Sequence, residues 1–185
     1  MQDRVKFLMC PMLDNVTMIE RDALIDGHYR YWLSRKNLLD KSSRKCLFIC
    51  INPNTADKIN DDRTTITCMN FAKNFGCGHL YIVNLFAMKG KPPKSIIKKP
   101  NSIGKDNDKY ILEYAKLCSD KDDLIIVAWG DDCYKDKLNR AKDVKNLLRN
   151  KGYKLYCLKI NKTKEPHHPL YLKETSIQRP KTYTF

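Results

Sequence analysis

The chain has 185 residues, 42 % hydrophobic and 30 % charged, which is the balance of one globular domain with a real core and excludes a disordered chain. No apolar run approaches the ~20 residues of a membrane span, and no signal peptide precedes the first charges, so a cytoplasmic monomer without a membrane partner is expected. Lys and Arg exceed Asp and Glu by 14 charges. A surplus of that size points to nucleic acid as partner, set against a Lys-rich composition inherited from an AT-rich genome.

Residues 1–27 read as mixed and irregular. His28-Tyr-Arg-Tyr-Trp-Leu-Ser-Arg35 alternates aromatic and basic residues at period two. That suits an edge strand or hairpin arm lying over the core. The alternative is an aromatic–basic stripe on nucleic acid. Packing is the expected role of Tyr29, Tyr31 and Leu33; the roles of Arg30 and Arg35 stay open. Residues 36–45 read as a polar connection.

Cys46-Leu-Phe-Ile-Cys-Ile-Asn-Pro-Asn-Thr-Ala-Asp57 is the organising stretch. Its apolar run is short and ends at a breaker, the mark of a fully buried strand. Pro53 has no N–H for a ladder and pushes Asn52 into extended geometry, so the strand stops there. In open parallel sheets a ligand sits just beyond the carboxyl ends of the strands, and Asn52 lies at that place. The plain alternative is an ordinary Asn-Pro turn.

Asp62 is a candidate N-cap for a helix over Ile66, Met69 and Phe71, closed by Gly76. His79–Phe86 is the second strand, ending near the polar Asn84. Lys89-Gly-Lys-Pro-Pro-Lys-Ser95 is a basic, Pro-rich stretch predicted to hold no regular structure. Gly104–Cys118 reads as a helix with Tyr110, Ile111, Tyr114 and Leu117 inward. Leu124–Gly130 is the third strand, about Tyr134–Asn150 a helix, and Tyr153–Ile160 the fourth strand. A polar loop follows with Lys162, Lys164, His167, His168 and Leu170. The tail over 176–185 is expected to pack loosely.

Eight cysteines form no C-x-x-C pair. Cys46 and Cys50, four apart on a strand, are roughly 13 Å apart and can share neither a metal nor a disulfide. Reduced thiols are expected, with no metal site and no cofactor.

Strand and helix alternate four strands deep, which predicts an α/β three-layer sandwich around a central four-stranded parallel sheet, one domain over 1–185 with its core at about 28–172. The strands starting at Leu47 and Leu124 should be central. Each strand then hands a polar motif to one edge: Asn52–Asp57, Asn84, Trp129-Gly130 and His167–Leu170.

On these residues the chain resembles a known superfamily. Leu47-Phe-Ile-Cys-Ile-Asn-Pro-Asn54 is similar to the strand-plus-loop motif of uracil-DNA glycosylases, nearest the mismatch-specific thymine/uracil type. Tyr81-Ile-Val-Asn84 resembles their second strand, Ile126-Val-Ala-Trp-Gly130 their L-L-W-G strand, and His168-Pro-Leu170 the start of their closing loop. Together these cover roughly residues 45 to 172. More specifically, Tyr29-Arg-Tyr, Asn52-Pro-Asn-Thr-Ala-Asp, Asp61-Asp-Arg-Thr, Asn84-Leu-Phe-Ala, Trp129-Gly and His168-Pro-Leu-Tyr-Leu resemble an uncharacterised bacterial, archaeal and phage domain family.

The superfamily resemblance implies a glycosylase-like fold and hydrolysis of an N-glycosidic bond on duplex or single-stranded DNA. It implies Asn52 and His168 as catalytic residues and Asn54, Asn84, Phe86 and Trp129 around the base. The acidic trio Asp57, Asp61 and Asp62 lies outside the resemblance and leaves three readings open: turn and cap chemistry, Asp57 and Asp62 as catalytic acids supplying the base Asn52 lacks, or weak binding of a divalent ion. Lys89, Lys91, Lys94, Lys162 and Lys164 would meet phosphates, and Leu170 would wedge into the stack. Asn54 stands where strict uracil enzymes carry a blocking Tyr, so a 5-substituted pyrimidine is the expected base. Two other classes compete: a non-catalytic nucleic-acid or nucleotide binder, and a nucleoside or nucleotide hydrolase or transferase built on the acidic loop.

Overall fold

The computed structural model describes residues 8–9, 18–37, 39–130 and 135–184. In chain order the strands and helices are β1 (Leu8–Met9), β2 (Met18–Asp26), β3 (Tyr29–Asn37), β4 (Lys45–Cys50), α1 (Arg63–Asn74), β5 (His79–Asn84), α2 (Pro93–Ile97), α3 (Asn107–Leu117), β6 (Leu124–Val127), α4 (Lys135–Arg149), β7 (Tyr156–Cys157) and β8 (Lys181–Thr182). Single 3-10 turns form at Pro169–Tyr171 and Glu174–Ser176.

β4 is apolar because both of its faces are covered. Leu47, Ile49 and Ile51 join a core with Ile111, Tyr114 and Ala115 of α3 and Ala141, Val144 and Leu148 of α4. Cys46, Phe48 and Cys50 join a second core with Cys68, Phe71 and Ala72 of α1. The result is three layers: α3 and α4, the sheet, and α1. Phe48, Leu47 and Ile49 have no exposed surface, and each such side chain contributes about 1.5–3 kcal/mol by leaving water.

β5, β4, β6 and β7 lie side by side and parallel, with β4 and β6 inside. The sheet is nevertheless not four-stranded. Among the described residues it has eight strands in the order β1-β2-β3-β5-β4-β6-β7-β8, with antiparallel pairs added at both sides.

The fold corrects the sequence reading at several other points. Residues 1–27 are not irregular throughout: Met18–Asp26 is a nine-residue strand hairpinned onto β3 through Gly27, which takes φ +53°. β3 is therefore the hairpin arm of the two expected alternatives and, flanked on both sides, not an edge strand. The Lys89–Ser95 stretch holds the start of α2, with Pro93 in its first turn, where the missing N–H costs nothing. Only Tyr156–Cys157 of the fourth strand enters the ladder. Leu117 does not point inward but stays 44 % exposed, being at the last turn of α3. The tail is anchored at one point: β8 pairs with β7, Tyr183 N–H donates to Leu155 O at 2.8 Å and its ring is buried against Trp129, while Gln178, Arg179, Lys181 and Thr182 stay exposed. The Cys10 and Cys133 positions lie outside the described residues; the six described cysteines are buried free thiols.

The local signals of α1 hold. Asp62 accepts from the Thr65 N–H at 2.9 Å and from the Thr65 hydroxyl at 3.0 Å, which caps the helix. Gly76, at φ +72°, closes it, a backbone angle a side chain would resist. Among the described residues no helix is long and apolar enough to cross a membrane.

Candidate functional site

β4, β5 and β6 deliver their C-terminal ends to one edge of the sheet, and the site is built there. Asn84 ends β5 opposite Cys50 of β4. The strand alternates: Leu80 and Ile82 face α1, while Val83 and Leu85 face α3. The Asn84 side chain therefore turns toward α1. It is 1 % exposed, and neither its Nδ2 nor its Oδ1 has a hydrogen-bond partner among the described residues. A buried polar group without a partner costs about 1–3 kcal/mol.

The backbone around Asn84 is fully held. Asn107 of α3 donates to the Asn84 and Leu85 carbonyls, both at 3.0 Å. Arg140 of α4 donates to Leu85 O at 2.9 Å and pairs with Asp108. The strand end is fixed from the α3 side, and its amide is presented on the other.

A bulge in β3 adds a cation to the same face. Leu24 pairs with Trp32 and Ile25 with Arg30, so Tyr31 is an extra residue. Arg30 and Arg35, five apart, would point to opposite faces of a regular strand. The extra residue puts both on the α1 side. Arg30 is 3 % exposed and reaches the Ala56 carbonyl with Nη1 at 2.9 Å. Its backbone N–H donates to Ala87 O at 2.9 Å, three residues beyond Asn84. Burial pulls its pKa down, and the Asp62 charge opposes this.

The loop from Asn52 to Asp62 lies over this region and is clamped by arginines. Arg35 gives Nη2 to the Asp57 and Asn60 carbonyls at 2.6 and 3.2 Å and Nε to Asp61 at 2.7 Å. Arg21 gives Nη1 to Asp61 at 2.7 Å. The loop's acids are thus each engaged. Asp61 holds two guanidinium groups, Asp62 caps α1, and Asp57 accepts from the Ile59 and Asn60 N–H groups, both at 2.7 Å. Burial works to raise both the Asp57 and Asp62 carboxyls. Backbone and side-chain hydrogen bonds, with the Arg35 charge at Asp57 and the Arg30 charge at Asp62, together outweigh it, and both end below the usual range. Among the described residues no group of acids, His or Cys is arranged to hold a metal ion.

Asn52 uses its amide nitrogen on the Gly90 and Pro53 carbonyls, at 2.9 and 3.1 Å. Its Oδ1 makes no hydrogen bond to a described residue, which leaves an acceptor at the strand end. The contact with Gly90 also brings the Lys89–Lys94 loop beside Asn52. Asn54 is half-buried, with a long 3.4 Å contact to Thr55. His168 follows the Lys162–Lys164 turn and stands over Gly130 at the end of β6. A Cβ on Gly130 would come within 3.3 Å of His168 Cβ. The His168 Nδ1 accepts from the Leu170 N–H at 3.3 Å, and Leu170 itself is 39 % exposed. Lys91, Lys94, Lys162 and Lys164 are exposed and Lys89 is half-buried.

Asn52, Asn84 and His168 are therefore brought to one sheet edge. Trp129 and Phe86 are not. Both are buried in the α3–α4 core, away from Asn84, and Trp129 Nε1 donates to Glu165 at 2.6 Å. Arg21, Arg30 and Arg35 are the residues to which sequence reasoning assigns no role. The available signal was Arg30 set between Tyr29 and Tyr31 on a strand that runs on into Trp32 and Leu33.

A family model described as "Protein of unknown function (DUF1643)" matches residues 30–170. No curated protein and no solved structure matches the chain.

Proposed function

The chain belongs to the DUF1643 family of proteins of unknown function, and we propose that it recognises and excises a modified pyrimidine base from DNA. The observation that carries this reading is Asn84. A rigidly held, buried amide with a free donor and a free acceptor side by side matches the edge of a nucleobase, which presents the same pair reversed. A base rotated out of the stack would meet both groups.

In the proposed reaction the C1′–N1 bond breaks and its electron pair leaves with the base. Water adds to the sugar at C1′, oriented by Asn52 Oδ1. Its proton passes to the carboxylate of Asp57, and little basicity is needed because the sugar already carries positive charge. His168 donates to the departing base. Lys89, Lys91, Lys94, Lys162 and Lys164 hold phosphates, and Leu170 fills the gap in the stack. Asn54 leaves space for a substituent on carbon 5. The test is incubation with genomic DNAs carrying different modified bases, with mass spectrometry of released free bases. Release of 5-substituted pyrimidines that stops in Asn52→Ala is expected, and no release from any DNA sinks the catalytic reading.

A second reading, a binder without chemistry, is favoured by one observation: the Asn52 amide and all three loop acids already serve the fold. Binding of base-modified DNA without release would establish it.

A further inference from the structure

Three arginines are placed around the Asn52–Asp62 loop, and only two of them have a carboxylate. Arg21 and Arg35 share Asp61. Arg30 forms no ion pair with a described residue, bonds one neutral carbonyl, and keeps Nε buried without an acceptor. Asp62 acts on it from farther away, and its oxygens are already committed to Thr65 and Ala56 N–H. A buried charge without its counter-ion costs several kcal/mol, so Arg30 is a poor purely structural choice.

The missing partner has a location. Asn84 neighbours Cys50 across the parallel ladder, and Arg30 lies within electrostatic reach of the same Cys50 and of Cys68. Arg30 N–H bonds the Ala87 carbonyl three residues beyond Asn84, whose amide also lacks partners among the described residues. Two buried residues with three unbonded polar atoms thus lie on the α1 face of neighbouring strands. Asn84 supplies a donor and an acceptor, and Arg30 supplies a second donor with a full positive charge.

We propose that Arg30 is the counter-charge of the Asn84 site, selecting a planar heterocycle in its anionic form, such as a pyrimidine that has lost an N–H proton. This rests on the base-recognition reading and adds to it a residue that reading does not use. In the excision step, the electron pair released by the C1′–N1 bond spreads from N1 onto the ring carbonyl oxygens. Arg30 Nε–H is oriented by the Nη1 bond to Ala56 and donates to one of those oxygens. The guanidinium stays protonated throughout, so no proton need move for the charge to be held.

The experiment is calorimetric binding of free uracil and free 5-fluorouracil to the intact protein from pH 6 to 9. The two bases are near-isosteric, and the fluorinated one is the stronger acid. Affinity is expected to rise roughly tenfold per pH unit below each base's own ionisation, with 5-fluorouracil tighter than uracil at neutral pH. Arg30→Gln should flatten this dependence and Arg30→Lys should restore part of it. Asn84→Leu should lose both bases. Equal affinity for the two bases with no pH dependence in the parent overturns the Arg30 role and leaves base recognition standing. Failure of the parent to bind either base overturns both. The parent measurement decides even where an Arg30 variant does not fold.

Discussion

Arg35 Nε donates to Asp61 Oδ1 at 2.7 Å, and Asp61 is 7 % exposed at its side chain while Arg35 is 1 % exposed. Asp61 Oδ2 takes Arg21 in the same way. One carboxylate therefore balances two buried guanidinium groups and fixes the loop that carries Asn52 and Asn54. Asp61→Asn is expected to cost about 3–5 kcal/mol, the range for stripping a buried ion pair of one partner. Urea unfolding measures it. A loss below about 1 kcal/mol, the value of a surface pair, contradicts the clamp.

Asn84 should show function opposed to stability. Asn84→Leu removes a buried amide that has no partner among the described residues, so the variant is expected to be as stable as the parent or more so by about 1–2 kcal/mol. The same change should abolish base binding. Thermal unfolding and a binding assay run side by side decide it. A strongly destabilised variant would mean that the amide is a structural tie.

Position 54 should set the base. Asn54→Tyr is expected to remove release of a bulky 5-substituted pyrimidine while sparing any release of uracil, because the ring would fill the space beyond carbon 5. Competing substrates in one reaction give the ratio directly. An equal effect on both bases rules out the steric account.

Charge reversal tests the lysines. Lys89, Lys91 and Lys94 together changed to Glu should weaken DNA binding and lower the slope of log K against log salt by about 0.9 for each phosphate no longer neutralised. Fluorescence titrations at several salt concentrations measure the slope. Identical slopes in parent and variant would make the net charge of +14 compositional.

His79 should make stability depend on pH. Burial, together with Lys36 and Lys45, pushes its ring from 6.5 down to about 4. Ser34 Oγ lies 3.0 Å from Nε2 and Tyr81 Oη 3.2 Å from Nδ1. Between those pH values the unfolded chain binds a proton that the folded chain refuses, so stability falls as pH drops from 6.5 toward 4. The loss is on the order of 2 kcal/mol, reduced from the full shift because the ring is part-exposed. Urea midpoints at pH 7 and pH 5 should differ by less in His79→Gln. An unchanged difference assigns the effect to other groups.

Local chemistry was legible from the chain alone. The apolar run before Asn52-Pro53 is a buried strand, Asp62 caps a helix, Gly76 ends it, and β4 and β6 lie inside a run of four parallel strands. These depend on backbone constraints and hydrophobic periodicity, which neighbours in sequence impose. The sequence also placed Asn52, Asn84 and His168 at strand ends, because alternating strands and helices bring every strand's carboxyl end to one edge. The tertiary structure decided what periodicity cannot carry. β2 and β8 exist because a flanking strand offers its unpaired backbone groups, not because their residues demand extension. Trp129 follows the alternation of β6 into the other core, and Phe86, past the end of β5, breaks that of its strand to join it, although the linear motifs place both beside Asn84. The bulge at Tyr31 reversed one arginine on β3, and with it put a buried charge on the face to which the Asn84 amide turns. A one-residue slip in pairing changes which face a side chain sees, and that is settled only when the strands meet.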